Sequence, residues 1–419
     1  MKDSIIPQSQ TQAREQPRLI DQIARRGVMS LLSRLHTGHI QLIEGQQMHD
    51  FGQPDSMLKA VVTVRNPGFY SSLAFAGSVG AGEAYFHGDW DCDNLTKLVR
   101  ILVINRELLD SMDSGIGKLM APLNKLLHWL NRNSRNGSQR NIAAHYDIGN
   151  SLFELMLDSN MMYSSAIYTE QHDTLELAAT HKLDVICQKL NLNENDQLIE
   201  IGTGWGGFAI HAAHHYGCHV TTTTISQQQY NYARQRIEQL GLEDKITLLQ
   251  QDYRDLGGQY DKLVSIEMIE AVGQENLDSY FSKCCTLLKA DGVMCIQAIT
   301  IADQRYSQAL REVDFIQKYI FPGGSLPSIT AMAQSLTRST DMVIYQLDDI
   351  GADYARTLHD WRERFFQHES QVHELGYNEA FIRLWEFYLC YCEGGFMERA
   401  ISTVHLLATR PDFRQSQAN

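Results

Sequence analysis

The chain has 419 residues, 43% of them apolar, and a formal net charge of −14. That length exceeds what one hydrophobic core usually organises and predicts two domains, while the acidic balance argues against nucleic acid as the main partner. Residues 1–17 are polar, without the apolar centre of a signal peptide, and no uninterrupted apolar run could span a bilayer, so a cytoplasmic protein is expected.

In chain order, spaced apolar residues over 19–45 predict one or two helices. Short alternating runs follow at 60–64, 68–70 and 73–75, and 82–90 reads as turns in a small α+β unit. A helix is expected over 95–109. From 114 to 146 there are five cations (Lys118, Lys125, Arg132, Arg135, Arg140) and no acid. Leu119, Leu123, Leu126, Leu127, Trp129 and Leu130 are interleaved at helical spacings. Such a basic amphipathic segment suits an anionic membrane surface, or equally an interdomain helix packed on its own protein. The polar, Asn-rich stretch that follows is read as a linker at 131–140. It separates an N-terminal α+β domain, 1–130, from a catalytic domain, 141–419.

Beyond the linker, strands and helices alternate as an α/β parallel sheet requires. Strands are predicted at Gln197–Ile201, His219–Thr224, Ile246–Gln250, 262–266, 292–298 and 342–347. Helices are predicted at 207–215, Gln227–Leu240 and Leu277–Leu287. The eight cysteines include no Cys-x-x-Cys pair, and Cys284, Cys285, Cys390 and Cys392 read as packed helix residues. His211, His214 and His215 lack the acid of an H-E-x-x-H site, since Ala212 stands there, and read as a helix-surface cluster. No metal site is expected.

The chemistry is concentrated in residues 198–208, where a buried strand leads through Glu200 into Gly202, Gly204, Gly206 and Gly207 and then a helix. The spacing is G-x-G-x-G-G rather than that of a dinucleotide site. With an acid two residues before the first glycine, it fits S-adenosylmethionine, another nucleotide, or a structural turn. Further candidates follow the later strands. Thr224 and Gln229 offer polar contacts to a ribose, Asp252 to an adenine amino group, and Tyr253 a ring to pack on it. Glu270 precedes a Val-Gly turn beside the crevice and fits a capping carboxylate equally well.

Together with His145–Asn150, Met162–Ala166, Thr224–Ser226, Gln251–Leu256, Lys318–Pro327, Gly351–Tyr354 and Trp361, these residues resemble the cyclopropane fatty acid synthases. That family uses S-adenosylmethionine to methylenate cis double bonds of lipid acyl chains. The likeness is strong over 140–410 and weaker through 82–90. It implies a Rossmann-like methyltransferase sheet with a smaller N-terminal domain, and a cofactor site of Tyr163, Ser164, Gly202, Gly204, Thr224, Ile225, Gln229, Tyr253 and Ile266. It also implies a bicarbonate ion held by Ser165, Glu270, Gln297, Ile299 and Tyr354, which removes a proton from the transferred methyl; ring faces such as Tyr146 or Tyr168 would stabilise the carbocation by cation–π contact. An anion beside Glu270 would raise its pKa. Three positions depart from the commonest pattern: Ser165 replaces Cys, Gln297 replaces His, and Ala271 replaces His. The expected partner is unsaturated phospholipid, reached by peripheral docking on the inner membrane surface through the N-terminal domain and 114–146, with a homodimer left open. Methyl- or methylene-branching of the acyl chain, methylation of another amphipathic molecule, and a lipid- or cofactor-binding protein without catalysis are the rival readings.

Overall fold

The computed structural model describes residues 18–107 and 148–414, so the basic segment 114–146 with Tyr146, and the linker 131–140, lie outside the described residues. The chain divides into two compact units. One comprises Met1–Leu130, Arg311–Pro322 and Trp361–Ala400; the other comprises Asn131–Leu310, Gly323–Asp360 and Ile401–Asn419. The single domain read over 141–419 is therefore divided, with 311–322 and 361–400 grouped with the N-terminal residues.

The reason is visible in the first unit. Helix α1 (Leu19–Leu32) leads into β1 (His39–Glu44), β2 (Gln47–Gly52) and β3 (Lys59–Val64); α2 (Gly68–Phe86), β4 (Trp90–Cys92) and α3 (Leu95–Ile104) follow. The four strands form a sheet of order β2-β1-β3-β4. The helix Glu379–Met397 buries twelve of its residues, too many for one face, so it needs cover on several sides. It packs against α2 and α3. A Cβ at Gly82 would lie 2.4 Å from the Phe315 ring and 3.1 Å from Phe387, so glycine permits that close approach. Thr96 on α3 donates to Glu393, which also pairs with Arg362 at 3.3 Å. Two expectations change here. Residues 39–44 form a strand rather than helix, and 68–86 form one helix, broken at Gly77 (φ 53°, ψ −131°), rather than alternating runs and turns. Helix α2 is apolar on nearly every side, which hides its period.

The second unit is built on a seven-stranded sheet of order β10-β11-β9-β8-β5-β6-β7. Its strands are β5 (Gln197–Ile201), β6 (His219–Thr224), β7 (Ile246–Gln250), β8 (Tyr260–Ile266), β9 (Leu288–Ile301), β10 (Val343–Asp349) and β11 (Ile401–Thr409). Strands β5 to β9 pair in parallel, whereas β11 runs antiparallel to both β9 and β10. Strand β11 was not anticipated from the sequence. Helices α4 (Leu175–Lys189), α5 (Gly207–Tyr216), α6 (Gln227–Leu240) and α7 (Leu277–Leu287) connect or flank the strands, followed by α8 (Ile329–Ser339) and α9 (Gly351–Gln367), whose residues from Trp361 onward are counted with the first unit.

Strand residues alternate between two cores, as the pleat dictates. Ile199, Ile201, Ile296 and Leu406 pack with α7 and α8 residues, whereas Leu198, Cys295 and Leu407 pack with α4 and α5 residues. From β5 the order runs to β6 and β7 on one side and to β8 and β9 on the other. That reversal opens a crevice beyond the carboxyl ends of β5 and β8, where ligands of such sheets bind. Among the described residues, no helix is long and apolar enough to cross a membrane.

Candidate active site

The glycine turn follows β5 at that reversal. Gly202, Gly204 and Gly206 have φ of 104°, 53° and 89°, values that side chains disfavour. A Cβ at Gly204 would meet nothing within 4 Å, so the backbone there is open to a ligand. Beneath the turn Glu200 is buried and accepts from the Thr222 hydroxyl at 2.6 Å. Burial lifts its pKa to about 8, against the pull of Thr222 and Lys182.

The other expected cofactor residues ring the same strand ends. Thr224 donates to Gln229 Oε1 at 2.8 Å, so the two form one pair after β6 rather than separate contacts. Asp252 receives Arg254 Nη2 at 2.6 Å and caps the following turn, so its carboxylate is already engaged. The Tyr253 ring stands edge-on to Tyr280 at 5.6 Å. Tyr163 packs on Phe153, with ring centroids 5.0 Å apart, and the Ser164 hydroxyl accepts from Lys182 Nζ at 2.8 Å. Ile225 and Ile266 are half-buried at the ends of β6 and β8. A loop before α4 carries Tyr163, Ser164 and Ser165; Asp158 fixes it by accepting from the N–H groups of Asn160 and Met162.

Ser165, Gln297 and Tyr354 converge on one carboxylate, that of Glu267, the first residue after β8. Glu267 Oε1 accepts from the Ser165 N–H at 2.9 Å and from Gln297 Nε2 at 2.8 Å, and Oε2 accepts from the Tyr354 hydroxyl at 2.7 Å. The remaining two residues form their own pair, the Ile299 N–H donating to Glu270 Oε1 at 2.5 Å. The donors that the resemblance assigned to bicarbonate are thus engaged by side chains of this chain. That set does not fit a separate ion. Ser165 contributes its N–H while its hydroxyl turns to the Ala166 carbonyl, so the Cys-to-Ser difference leaves this contact unaltered.

Glu267 and Glu270 keep some exposed surface, yet protein surrounds their carboxylates, and lost hydration raises both pKa values. Glu270 reaches about 8, through burial first and the Glu267 charge second. Glu267 is raised by burial, against the pull of the Ser165 N–H, Tyr354, Lys182 and Gln297. A carboxyl whose folded pKa lies above its unfolded value adds stability that is full below about 4.5 and is lost as pH rises through about 8. Glu270→Gln keeps an acceptor for Ile299 and carries no charge. Its urea-unfolding free energy should therefore gain on wild type between pH 5 and 9, by on the order of a few kcal/mol. A pH-independent difference would show that Glu270 does not titrate this way.

Behind Gln297 runs a polar chain that sequence reasoning missed. His405 stands opposite Gln297 in the β9–β11 register and lies 3.0 Å from its Oε1 through Nε2. Lys189 Nζ lies 2.9 Å from His405 Nδ1 and 2.6 Å from Asp348. Lys182, the fully buried cation of α4, was missed as well, although it interrupts the apolar spacing of Leu175, Ala178, Ala179, Leu183 and Ile186. Glu267 carried a signal too: it is an acid directly after a strand that ends at the crevice. His211 is buried and 2.8 Å from Asp184, so it is a structural partner rather than part of a surface cluster. Tyr168 has the Arg356 guanidinium 4.2 Å from its ring centroid and donates to Asp360.

An open glycine turn at a sheet reversal, with a buried acid beneath it, fits an S-adenosylmethionine-dependent methyltransferase of Rossmann-like fold. The comparisons narrow this. Residues 133–406 match the model of the mycolic acid cyclopropane synthetase family. The chain is 37% identical to the cyclopropane-fatty-acyl-phospholipid synthase of Escherichia coli K12, over 84% of this chain and 88% of that one. It is 36% identical to a tuberculostearic acid methyltransferase of Mycobacterium tuberculosis, over 76% of each chain. A solved mycolic acid cyclopropane synthase complexed with SAH and CTAB superposes with a TM-score of 0.59 at 28% identity, covering 65% of this chain and 98% of that one. The chain belongs to the mycolic acid cyclopropane synthetase family, whose members cyclopropanate or methylate lipid acyl chains.

Proposed function

We propose that the protein transfers a one-carbon unit to the cis double bond of unsaturated phospholipid acyl chains and closes it to a cyclopropane ring. The observation that carries this reading is the Glu267 carboxylate, fixed by three donors at the crevice that holds the glycine turn. S-adenosylmethionine, when bound, supplies an electrophilic sulfonium methyl. Gly202 and Gly204 would give its backbone seat, Glu200 the acid beneath it, and Thr224, Gln229, Asp252 and Tyr253 the rim for its nucleoside. The alkene is a weak nucleophile and must be held in line, away from water. Its attack leaves a carbocation on the acyl chain, and loss of a methyl proton closes the ring. Docking on the inner membrane surface through the N-terminal domain and 114–146 belongs to the same reading, as does a cytoplasmic location.

A second reading, methyl- or methylene-branching, is favoured by the likeness to the tuberculostearic acid methyltransferase and by Gln297. Incubation with methyl-labelled S-adenosylmethionine and vesicles of cis-unsaturated phospholipid, followed by mass spectrometry of the released acyl chains, decides between them. The expected product gains one CH₂ and has a ring and no double bond. A gain of CH₂ with the double bond retained, or of CH₂ plus two hydrogens, selects branching; unlabelled lipid refutes both.

A further inference from the structure

Glu267 departs from ordinary backbone geometry in order to reach its place. Its φ is +48°, a conformation side chains rarely adopt, and its N–H is tied to the Gln297 carbonyl at 2.8 Å. Such a residue persists only where its surroundings over-determine it, and these outliers concentrate at active sites. Here the bend delivers a carboxylate to three donors from three separate segments: a loop N–H, a β9 amide and an α9 phenol.

The hydrogen-bond count shows what the carboxylate can still do. A carboxylate has about four lone-pair directions. Oε1 uses two, on Ser165 and Gln297, and Oε2 uses one, on Tyr354. One lone pair is left, on Oε2. Glu270 is different, since Oε1 has a single donor and the buried Oε2 has none among the described residues. Two neighbouring buried carboxyls do not both ionise readily. Three donors against one make Glu267 the anion and Glu270 the neutral acid.

We propose that Glu267 Oε2 is the built-in proton acceptor of this site and takes the place of a diffusible bicarbonate ion. The inference rests on the methyl-transfer reading above. In the step it serves, the alkene π pair forms a C–C bond to the methyl carbon, and the S–CH₃ pair stays with sulfur. The adjacent acyl carbon is left cationic. A methyl C–H proton passes to Oε2, and the C–H pair becomes the third ring bond. Glu267 leaves the step neutral and returns its proton to solvent before the next turnover. No oxidant or co-reactant is needed.

Glu267→Gly is the decisive variant. Glycine suits the φ of +48° and removes the carboxylate while keeping the three donors, so it should fold and bind S-adenosylmethionine as wild type does. Carbon-13 NMR of labelled bicarbonate, with protein prepared under CO₂-free nitrogen, should show no bound ion on wild type and a bound ion on Glu267→Gly. Turnover by wild type should not respond to added bicarbonate. Glu267→Gln should lose about 100-fold or more, and the loss in Glu267→Gly should be reversed in part by bicarbonate. Bicarbonate bound by wild type, or not bound by Glu267→Gly, overturns the proposal. Failure of wild type to label lipid refutes the acyl-chain reading instead, and the ion-binding result still decides the role of the Glu267 site.

Discussion

Lys182→Met is expected to destabilise the second unit by about 3–5 kcal/mol at pH 7, the range for leaving buried charges without their partner. Lys182 is fully buried on α4, donates to Ser164, and faces the carboxyl groups of Glu267, Asp158 and Glu200. All three carboxyls already have raised pKa values because burial strips their hydration, and Lys182 is among the groups pulling each of them down. The lysine is itself driven down to about 8 by burial, with the three acids opposing. Between about 8 and its ordinary 10.5 the unfolded chain binds the extra proton, so the cost of burying this cation is present below 8 and relieved above it. At pH 5 the acids are closer to neutral in the folded protein, and the buried cation then has less to offset it. The deficit of Lys182→Met should therefore shrink as pH falls from 7 to 5, in urea melts followed by circular dichroism. An equal deficit at both pH values would mean that only packing was lost.

Much of the sheet was legible because its strands have clear ends and regular helices between them. Gln197–Ile201, His219–Thr224 and Ile246–Gln250 have the bounds their sequences suggest. What escaped was governed by distant partners. Strand β11 lies between β9 and β10, and only that pairing turns His405 towards Gln297. The glycines of α2 imitate turns locally, whereas Gly82 serves close packing against Phe315 and Phe387, more than two hundred positions away. Glu267 was in view as an acid after a strand, whereas its role depends on a backbone bend and on donors from three segments. Nothing within its own neighbourhood in the chain shows that convergence.

Gln297→Leu should lower turnover at pH 7 by roughly 10- to 100-fold without changing S-adenosylmethionine affinity, the scale expected when one hydrogen bond to a buried charge is removed. The polarity of the hydrogen-bonded chain behind Gln297 sets its orientation. Lysine only donates, so His405 Nδ1 accepts from Lys189, and the proton must sit on Nε2, directed at Gln297 Oε1. Burial and the nearby lysines hold His405 well below its usual pKa, which keeps it neutral and this tautomer in place. The amide is thereby oriented with its NH₂ group towards Glu267. Leucine would leave the buried Nε2–H without an acceptor and Glu267 with two donors instead of three. Fewer donors to the ionised form raise the Glu267 pKa further, so the acid limb of the pH–rate profile should move to higher pH, with partial recovery by pH 9. Gln297→His should retain most activity, because a neutral imidazole can accept from His405 at one nitrogen and donate to Glu267 at the other. That would account for either side chain serving at this position. A Gln297→Leu enzyme with an unshifted profile would show that the amide does not tune Glu267, and that the network from Lys189 to Gln297 serves β9–β11 pairing alone.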